Sequence, residues 1–461
     1  MVRLENKRVL VLGLGVSGVA AAELLARLET KVVGVDSDDT EALRRDAERL
    51  RGKGVAVTLG AETAPEGEFD LVVASPGVPW ANPILKEMVT RNIPVIGEFE
   101  LGCQHSLCLN IAVTGTNGKT TTTELIERLL THHHIKTLAA GNIGRPVCAV
   151  AEQTRELDFL TLEVSSFQLE TTQFFRPSIG VLLNITPDHL DRYANLADYA
   201  RAKARLFRNQ QPFDWAIIQS EALALLRSLQ VDIPSKIITF SATNPRADLY
   251  LDRSLLLSRL AGWSGPLLDM DHCGLRGPHN ANNLMAALAV GRVLRIPLAT
   301  MVESLKSYLP AAHRCEPVAE IDGVRFVNDS KATNVGALHM ALLSMPPGAG
   351  GEPNVWLIAG GKDKGLDYHE IGPLLSRRVK RAILIGETRE KIRAAWSRFI
   401  PCAFADSLLE AVTEAASIAV CGDVVLLSPA CSSFDQFQNY QHRGEVFRQA
   451  VKNLAAARTA A

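Results

Sequence analysis

The sequence predicts an α/β protein of three domains, each built on a mostly parallel sheet. The chain has 461 residues, which is more than one hydrophobic core ordinarily serves, and usual domain sizes suggest about three domains. Apolar strand patterns alternate with helical patterns along most of the chain, as is typical of parallel sheets with helices on both faces. The alternation breaks after "NIPVIG" and around "LPAAHRCEPV", which predicts domains over residues 1–97, 98–309 and 310–461.

The first domain opens with a strand, turn, helix and second strand. Gly13, Gly15 and Gly18 follow the apolar run "RVLVLG", and the strand "KVVGVD" ends at Asp36. Three glycines in a G-x-G-x-x-G pattern with an acid about twenty positions on are typical of a turn that holds a diphosphate at a helix N-terminus. The pattern predicts a Rossmann-like domain and argues against a signal peptide, although basic residues precede the apolar stretch.

The second domain carries a phosphate-binding loop with altered spacing. Val113 stands where the standard P-loop has its first glycine, whereas Gly115 and Gly118 precede Lys119 and Thr120. An apolar strand pattern lies before the loop and a helical pattern after it, so a helix N-terminus would face the phosphates. Lys119 would neutralise phosphate charge and the Thr120 hydroxyl would bind Mg²⁺. These residues predict a P-loop ATPase-like domain; the alternative is an ordinary turn with a solvated lysine.

Acidic and imidazole side chains follow two further strands of this domain. Glu163 ends the run "LDFLTLE", and Asp188 and His189 come after "SIGVLL". Ligands bind beyond the carboxyl ends of parallel strands, where a carboxylate can hold the catalytic Mg²⁺. His189, with Asp188, Asp191 and Arg192 beside it, is therefore expected in the site, although it could simply start a helix.

Composition argues against nucleic-acid and membrane partners. The formal net charge is −1, basic residues form no long run, and no apolar stretch approaches the ~20 residues that span a bilayer. The eight cysteines form no C-x-x-C pair and suit reduced thiols. The histidines at 132–134 could attract a metal, but we expect them to cap the helix of Lys119. We therefore expect a cytoplasmic monomer.

Eight segments, in this order and spacing, resemble the Mur ligases of peptidoglycan synthesis: "GTNGKTTT", "GNIG", "LEVSSFQLE", "NITPDHLDRY", "GPHNANN", "HR", "NDSKATN" and "LSPACSSFDQF". The resemblance covers essentially the whole chain. Folylpolyglutamate synthases share the shortened phosphate loop, whereas the last two segments favour the branch of the family that adds D-glutamate. The resemblance implies an ATP-dependent ligase that joins UDP-N-acetylmuramoyl-L-alanine to D-glutamate and releases ADP and phosphate.

The resemblance also implies three binding sites, one in each domain with contributions from its neighbours. The UDP-sugar site would comprise Val16, Ser17, Gly18, Asp36, Ser37, Ser75, Pro76, Gly77, Asn142 and His189. The ATP site would comprise Gly115, Thr116, Asn117, Gly118, Lys119, Thr120, Thr121, Asn280, Asn283, Arg314, Asp329 and Lys331. The D-glutamate site would comprise Thr333, Lys364, Ser433, Phe434 and Tyr440, with Lys362 of "GGKDKG" as an alternative to Lys364.

Four residues would carry the chemistry by the same resemblance: Lys119, Glu163, His189 and Lys203. Two Mg²⁺ ions are expected, with Thr120 and Glu163 at one ion and His189 at the other. Lys203 would support the metal as a carbamate formed with CO₂. From the residues alone, Lys203 in "ADYARAKARLF" would instead be a surface lysine.

Other functions fit parts of the sequence. A folylpolyglutamate synthase-like ligase would use the phosphate loop but not the first glycine pattern. A nicotinamide-dependent dehydrogenase would use the glycine pattern but leave "GTNGKTT" without a function. A regulatory nucleotide-binding module would not need the acids. Individual residues also have simpler interpretations, with Thr333 as a helix N-cap, Ser433 as a turn residue and Lys364 as a solvated charge.

Overall fold

Three separate sheets organise the chain in the computed structural model, which describes residues 4–189, 192–308 and 312–459. Each sheet is wholly or mostly parallel and is covered by helices, so the predicted α/β class with three mostly parallel sheets is confirmed. The predicted boundary between the second and third domains, at 309/310, lies outside the described residues.

The first sheet has five parallel strands in the order β3-β2-β1-β4-β5. Its strands are β1 (Arg8–Leu12), β2 (Lys31–Val35), β3 (Ala56–Thr58), β4 (Leu71–Ala74) and β5 (Val95–Gly97). The helices of this region are α1 (Val16–Arg27), α2 (Glu41–Arg51), α3 (Pro83–Thr90) and α4 (Glu98–His105). Strands β2 and β3 lie on one side of β1, and β4 and β5 lie on the other. The strand order thus switches between β1 and β4, and ligands are expected beyond the carboxyl ends of these two strands.

The second sheet has nine strands in the order β14-β13-β12-β11-β10-β9-β6-β8-β7. They are β6 (Leu109–Thr114), β7 (Thr137–Gly141), β8 (Phe159–Glu163), β9 (Ile179–Leu182), β10 (Trp215–Gln219), β11 (Lys236–Ser241), β12 (Leu249–Asp252), β13 (Leu255–Ser258) and β14 (Gly265–Asp269). The helices are α5 (Lys119–His132), α6 (Val147–Val150), α7 (Ser166–Glu170), α8 (Leu196–Ala204), α9 (Ser220–Ser228), α10 (Pro278–Val293) and α11 (Leu298–Lys306). Strands β13 and β14 pair antiparallel and extend an otherwise parallel sheet.

The third sheet has six strands in the order β15-β16-β20-β17-β18-β19. They are β15 (Glu316–Ile321), β16 (Val324–Asn328), β17 (Val355–Gly360), β18 (Val379–Ile385), β19 (Cys402–Phe404) and β20 (Val424–Leu427). The helices are α12 (Val335–Ser344), α13 (Gly372–Arg378), α14 (Arg389–Trp396), α15 (Leu408–Ile418) and α16 (Tyr440–Thr459). Only the edge strand β15 pairs antiparallel, so the loops after β16, β17 and β20 leave the same edge of the sheet.

Two features of the described residues bear on the predictions from composition. None of their helices has the length and apolar character needed to cross a bilayer. All eight cysteines lie in the described part of the chain and remain free thiols. Helix α5 ends at His132, so the histidine tract does follow the helix that begins at Lys119.

Candidate active site

The phosphate-binding loop lies between β6 and α5, and Lys119 is the first residue of the helix. Gly118 adopts a left-handed φ of 87°. A Cβ atom at this position would lie 2.3 Å from Asn283 Oδ1, so both the backbone angle and the space require glycine. The loop therefore presents the N-terminus of a 14-residue helix, as the sequence predicts.

Asn184, just beyond β9, holds this loop in place. Its Oδ1 accepts from the Asn117 backbone N–H at 2.9 Å and its Nδ2 donates to the Asn117 carbonyl at 2.9 Å. The Asn184 carbonyl also accepts from Thr116 N at 2.9 Å. Hydrogen bonds to both the backbone N–H and the carbonyl of one residue restrain the loop before any phosphate binds.

Two lysines converge on the loop from different helices. Lys119 Nζ donates to the carbonyls of Gly115 and Thr116, both at 2.9 Å, and Lys203 Nζ donates to Gly115 O at 2.8 Å. Lys203 is 1% exposed, so its interpretation as a surface lysine is wrong. Burial lowers the pKa of Lys203 well below its ordinary value, and the charge of Lys119 lowers it further. The lowered pKa favours the neutral form of the Lys203 amine over the ammonium.

Glu163, the last residue of β8, fits a magnesium ligand. Its side chain is buried; Oε1 accepts from Asn142 Nδ2 at 2.8 Å, whereas Oε2 has no hydrogen-bond partner among the described residues. A buried carboxylate oxygen without a partner is costly unless a ligand satisfies it. The described residues contain no cluster of three His, Cys, Asp or Glu side chains that could hold a metal alone. Thr120 and Glu163 therefore fit Mg²⁺, which takes few protein ligands and completes its shell with phosphates and water.

Asp188 and His189 lie beyond the end of β9, next to the third domain. Asp188 is buried and accepts from Asn334 Nδ2 at 3.0 Å, and Lys364 Nζ lies 3.8 Å from its Oδ1. Burial opposes ionisation of Asp188, but the charges of Lys364 and His189 outweigh it and lower the pKa of this carboxyl. The His189 ring packs edge-on against Phe167 with centroids 4.8 Å apart. Of the other members of the predicted cluster, Arg192 donates to Glu170 Oε2 at 2.6 Å and Asp191 lies outside the described residues.

A cleft of about 600 Å³ opens beyond β1 and β4. The predicted UDP-sugar residues that line it are Val16, Ser17, Asp36, Ser37, Ser75, Pro76, Gly77 and Asn142. Gly18 instead lies beneath the cleft, where a Cβ atom would be 1.8 Å from Gly13 O, and His189 does not line the cleft. Because Asn142 both lines the cleft and donates to Glu163, the cleft leads to this candidate magnesium ligand.

The predicted nucleotide residues come from α10 and from the third domain. Asn283 Oδ1 accepts from Thr122 Oγ1 at 3.2 Å, and its Nδ2 donates to Asn280 Oδ1 at 3.1 Å. Burial lowers the pKa of Lys119, and the charges of Lys331 and Arg314 contribute to the lowering. These two cations of the third domain therefore act on the phosphate loop of the second.

Asp329, immediately after β16, is a buried carboxyl. Oδ1 accepts from Cys315 N at 3.1 Å and Oδ2 accepts from Ser428 Oγ at 2.9 Å. Burial raises the pKa of Asp329 to about 7, because these hydrogen bonds and the charge of Arg314 offset only part of the desolvation cost. Asp329 thus joins the ends of β16 and β20 and titrates near neutrality.

The predicted D-glutamate residues surround the loops after β16, β17 and β20. The side chain of Lys364 is 18% exposed and faces Asp188, whereas Lys362 is exposed. Ser433 is buried and Phe434 is 68% exposed. Lys331 Nζ lies 3.9 Å above the Tyr440 ring. The solvated-loop interpretation of Lys364 is therefore wrong for this arrangement of the domains.

Two residues of this region were missed from the sequence. Asn334, and not Thr333, caps α12, since Asn334 Oδ1 accepts from Ala337 N at 2.8 Å. Arg443 of α16 is fully buried and donates to Ser330 O at 2.8 Å and Cys431 O at 3.1 Å, which joins two of the three loops. The Asn before a helical pattern was a readable cap signal, whereas nothing in the sequence distinguishes Arg443 from a surface arginine.

Three domain families match the chain in order, and all are Mur ligase domains. The MurD-like N-terminal domain matches residues 7–97, the middle domain matches 113–291, and the glutamate ligase domain matches 313–431. The fold and site define a class of α/β enzymes in which a domain with a phosphate-binding loop stands between two further α/β domains. The chain belongs to the Mur ligase family.

The similar curated proteins cover nearly the full chain. The UDP-N-acetylmuramoylalanine–D-glutamate ligase of Acidobacterium capsulatum is 41% identical over 452 residues, which are 97% of this chain and 96% of the relative. The protein of the same name from Pelotomaculum thermopropionicum is 40% identical over 453 residues, covering 97% and 98% of the two chains.

Solved structures share the fold at lower identity. The MurF ligase of Thermotoga maritima in complex with ADP superposes with a TM-score of 0.63 at 16% identity, covering 99% of this chain and 100% of that one. The UDP-N-acetylmuramate-alanine ligase MurC of the same organism gives a TM-score of 0.60 at 18% identity, with coverage of 97% and 100%. Both agree with the three-domain α/β fold described above.

Proposed function

We propose that this chain is an ATP-dependent, ADP-forming ligase that adds D-glutamate to UDP-N-acetylmuramoyl-L-alanine in peptidoglycan precursor synthesis. The observation that carries the proposal is Asn142, which lines the cleft of the first domain and hydrogen-bonds the Glu163 carboxylate beside the phosphate loop. A UDP-sugar in the cleft would thus extend its acyl end toward the phosphates of ATP. The names of the relatives at about 40% identity support the same substrates. Because ATP and nucleotide sugars are cytoplasmic metabolites, the proposal assigns the reaction to the cytoplasm.

The reaction must first activate a carboxylate, which is a poor electrophile at neutral pH. Transfer of the γ-phosphoryl group to a carboxylate oxygen gives an acyl phosphate and ADP. The amine of D-glutamate then attacks the acyl carbon, loses a proton, and expels phosphate from the tetrahedral intermediate. Phosphoryl transfer of this kind is catalysed largely by positioning and by charge stabilisation.

The second domain would supply most of that stabilisation. The N-terminus of α5, which begins at Lys119, and the Lys119 ammonium would face the phosphates, where a cation stabilises the developing charge. Thr120 and Glu163 would hold Mg²⁺, and His189 a second ion. When bound, Mg²⁺ offsets the charge of the phosphates and polarises the transferred group. Asn142, through its bond to Glu163, would orient the acyl end of the UDP-sugar.

Lys203 would act as a carbamate in this proposal. Its amine is buried, its lowered pKa favours the neutral form that reacts with CO₂, and it lies at the phosphate loop. Carbamylation replaces a cation by an anion, which is compatible with a nearby metal. The uncharged amine loses a proton to solvent as the N–C bond forms.

D-Glutamate would be bound by the third domain through its two carboxylates. Lys364 would pair with one carboxylate in a charge-assisted hydrogen bond. The hydroxyls of Thr333 and Ser433 would donate hydrogen bonds to the carboxylates. Lys364 already faces Asp188 across the domain boundary, so an amino acid bound there would lie between the third domain and the phosphate loop.

Release of phosphate from ATP tests the proposed function. The purified chain is assayed with UDP-N-acetylmuramoyl-L-alanine and D-glutamate together, with each alone, and with L-glutamate in place of the D enantiomer. We expect stoichiometric phosphate and a new amide only when the UDP-sugar and D-glutamate are both present. Phosphate release that is independent of the UDP-sugar would exclude the proposal.

A further inference from the structure

The side-chain amide of Asn334 connects two domains. Its Oδ1 accepts from Ala337 N at 2.8 Å and so caps α12 of the third domain. Its Nδ2 donates to Asp188 Oδ2 at 3.0 Å and lies 3.3 Å from Asn117 Oδ1, both in the second domain. The residue is buried, so these bonds do not compete with water as they would at the surface.

The two partners of Asn334 belong to different parts of the catalytic domain. Asn117 lies in the phosphate-binding loop, and Asn184 hydrogen-bonds both its backbone N–H and its carbonyl. Asp188 follows β9 and is also approached by Lys364. One amide NH₂ group therefore connects the phosphate loop and the end of β9 to the segment of the third domain that carries Thr333.

A second observation comes from the first turn of α12. A Cβ atom at Gly336 would lie 3.3 Å from Asn117 Nδ2 and 3.4 Å from Thr186 Oγ1. The first distance is shorter than ordinary van der Waals contact for a Cβ atom, and the second is at the lower limit of such contact. A side chain at Gly336 would therefore press on Asn117 of the phosphate loop, which must shift by a few tenths of an ångström to accommodate it.

We propose that Asn334 is a positioning residue that fixes the third domain on the phosphate loop during catalysis. The proposal rests on the function proposed above, because only a reaction between groups held by different domains needs the second and third domains in a fixed relative position. Lys364 and Thr333 would hold the amino acid on one domain, and Lys119 would hold the phosphates on the other. An error of about 1 Å between such groups can cost roughly 10²-fold in rate, so loss of the Nδ2 bonds should lower kcat.

Asn334→Ser separates positioning from capping. A serine hydroxyl caps a helix about as well as an asparagine oxygen, but it is too short to reach Asp188 and Asn117 at the same time. We expect a modestly lowered Tm from loss of the buried Nδ2 bonds, unchanged affinity for the UDP-sugar by calorimetry, and a kcat lowered by about 10-fold or more at a temperature well below the Tm. Asn334→Asp also keeps the capping oxygen but puts a carboxylate against Asp188, so its kcat should fall further.

Two further variants complete the experiment. Asn195 caps α8 by accepting from Asp198 N at 2.9 Å, so Asn195→Ser is the same substitution at another cap and should keep the wild-type kcat. Gly336→Ala favours the helix itself but crowds Asn117, so we expect a lower kcat without a lower Tm. Wild-type kcat in Asn334→Ser, or a kcat that falls only in step with Tm across the set, would overturn the proposal.

Small-angle X-ray scattering distinguishes failure of this inference from failure of the proposed function. Asn334→Asp should increase the radius of gyration of the full chain, because two carboxylates would face each other across the domain boundary. An unchanged radius in that variant would overturn the inference whatever the reaction is. If the wild-type chain does not ligate D-glutamate, the proposed function fails, while the scattering comparison still decides whether Asn334 holds the domains together.

Discussion

Lys119 and Lys203 donate hydrogen bonds to the same backbone oxygen, that of Gly115, at 2.9 and 2.8 Å. Two ammonium groups so close together repel each other, and removal from water makes each charge more costly. Lys203 is the more deeply buried of the two, and burial followed by the charge of Lys119 lowers its pKa well below the ordinary value. The arrangement therefore favours a cation at Lys119 and a neutral amine at Lys203. In the proposed function the cation stabilises phosphate charge and the neutral amine reacts with CO₂.

Lys119→Ala should abolish ligation and leave UDP-sugar binding unchanged. The lysine is the first residue of α5 at the phosphate loop, whereas the UDP-sugar cleft lies mainly in the first domain. Loss of such a cation ordinarily costs about 10²- to 10³-fold in rate. Calorimetric titration with the UDP-sugar and a phosphate-release assay test the two parts. Lys136→Ala, at an exposed lysine of the same domain, is the control, and equal loss of binding and ligation in Lys119→Ala would mean that the lysine is structural.

Lys203→Ala should lose most activity, and Lys203→Arg should not restore it. Arginine keeps a positive charge but cannot form a carbamate, because its guanidinium remains protonated. We expect a loss of about 10²-fold or more in both variants. Small carboxylic acids should partly rescue the alanine variant by supplying an anion in the vacated space. Full activity of Lys203→Arg would show that only a positive charge is needed there.

Lys364→Ala should raise the KM for D-glutamate far more than the KM for ATP. A charge-assisted hydrogen bond to a carboxylate is worth about 1.5–3 kcal/mol, or roughly 10- to 100-fold in affinity. Lys362→Ala is the matched control from the same loop, where the side chain is exposed. Steady-state kinetics with each substrate varied in turn measure the effect. If Lys362→Ala raises the KM instead, the amino acid is bound by the other lysine.

Asp329→Asn should remove a pH dependence of stability. Burial raises the pKa of Asp329 from 3.8 to about 7 in the folded chain, so the folded state binds a proton that the unfolded state has released between these values. Stability must therefore fall as pH rises from about 4 to 7 and level off above 7. Asparagine keeps one oxygen to accept from Cys315 N, places an NH₂ group against the Ser428 hydroxyl, which can accept from it, and does not ionise. Thermal midpoints at several pH values should show the variant gaining on the wild type across this window, and parallel curves would contradict the raised pKa.

Local sequence patterns predicted the fold and the phosphate loop well. Short adjacent segments carry these signals: the apolar run that becomes β6, the glycines, and the helical pattern from Lys119 onward. The position of Glu163 at the end of β8 follows from the same kind of pattern. These features depend on residue spacing and backbone conformation, which neighbouring residues determine.

The sequence by itself thus determined the three-domain α/β class, the phosphate loop and, through a family resemblance, the residues to examine. Only the tertiary structure decided that Lys203 is buried, that Lys364 faces Asp188 while Lys362 is exposed, and that Asn334 caps α12 and also reaches the phosphate loop. The contacts of Lys203 with Gly115 and of Asn334 with Asn117 join residues 88 and 217 positions apart. Burial and charge at such sites depend on how distant segments and whole domains pack, and residue spacing along the chain does not encode that packing in any local pattern.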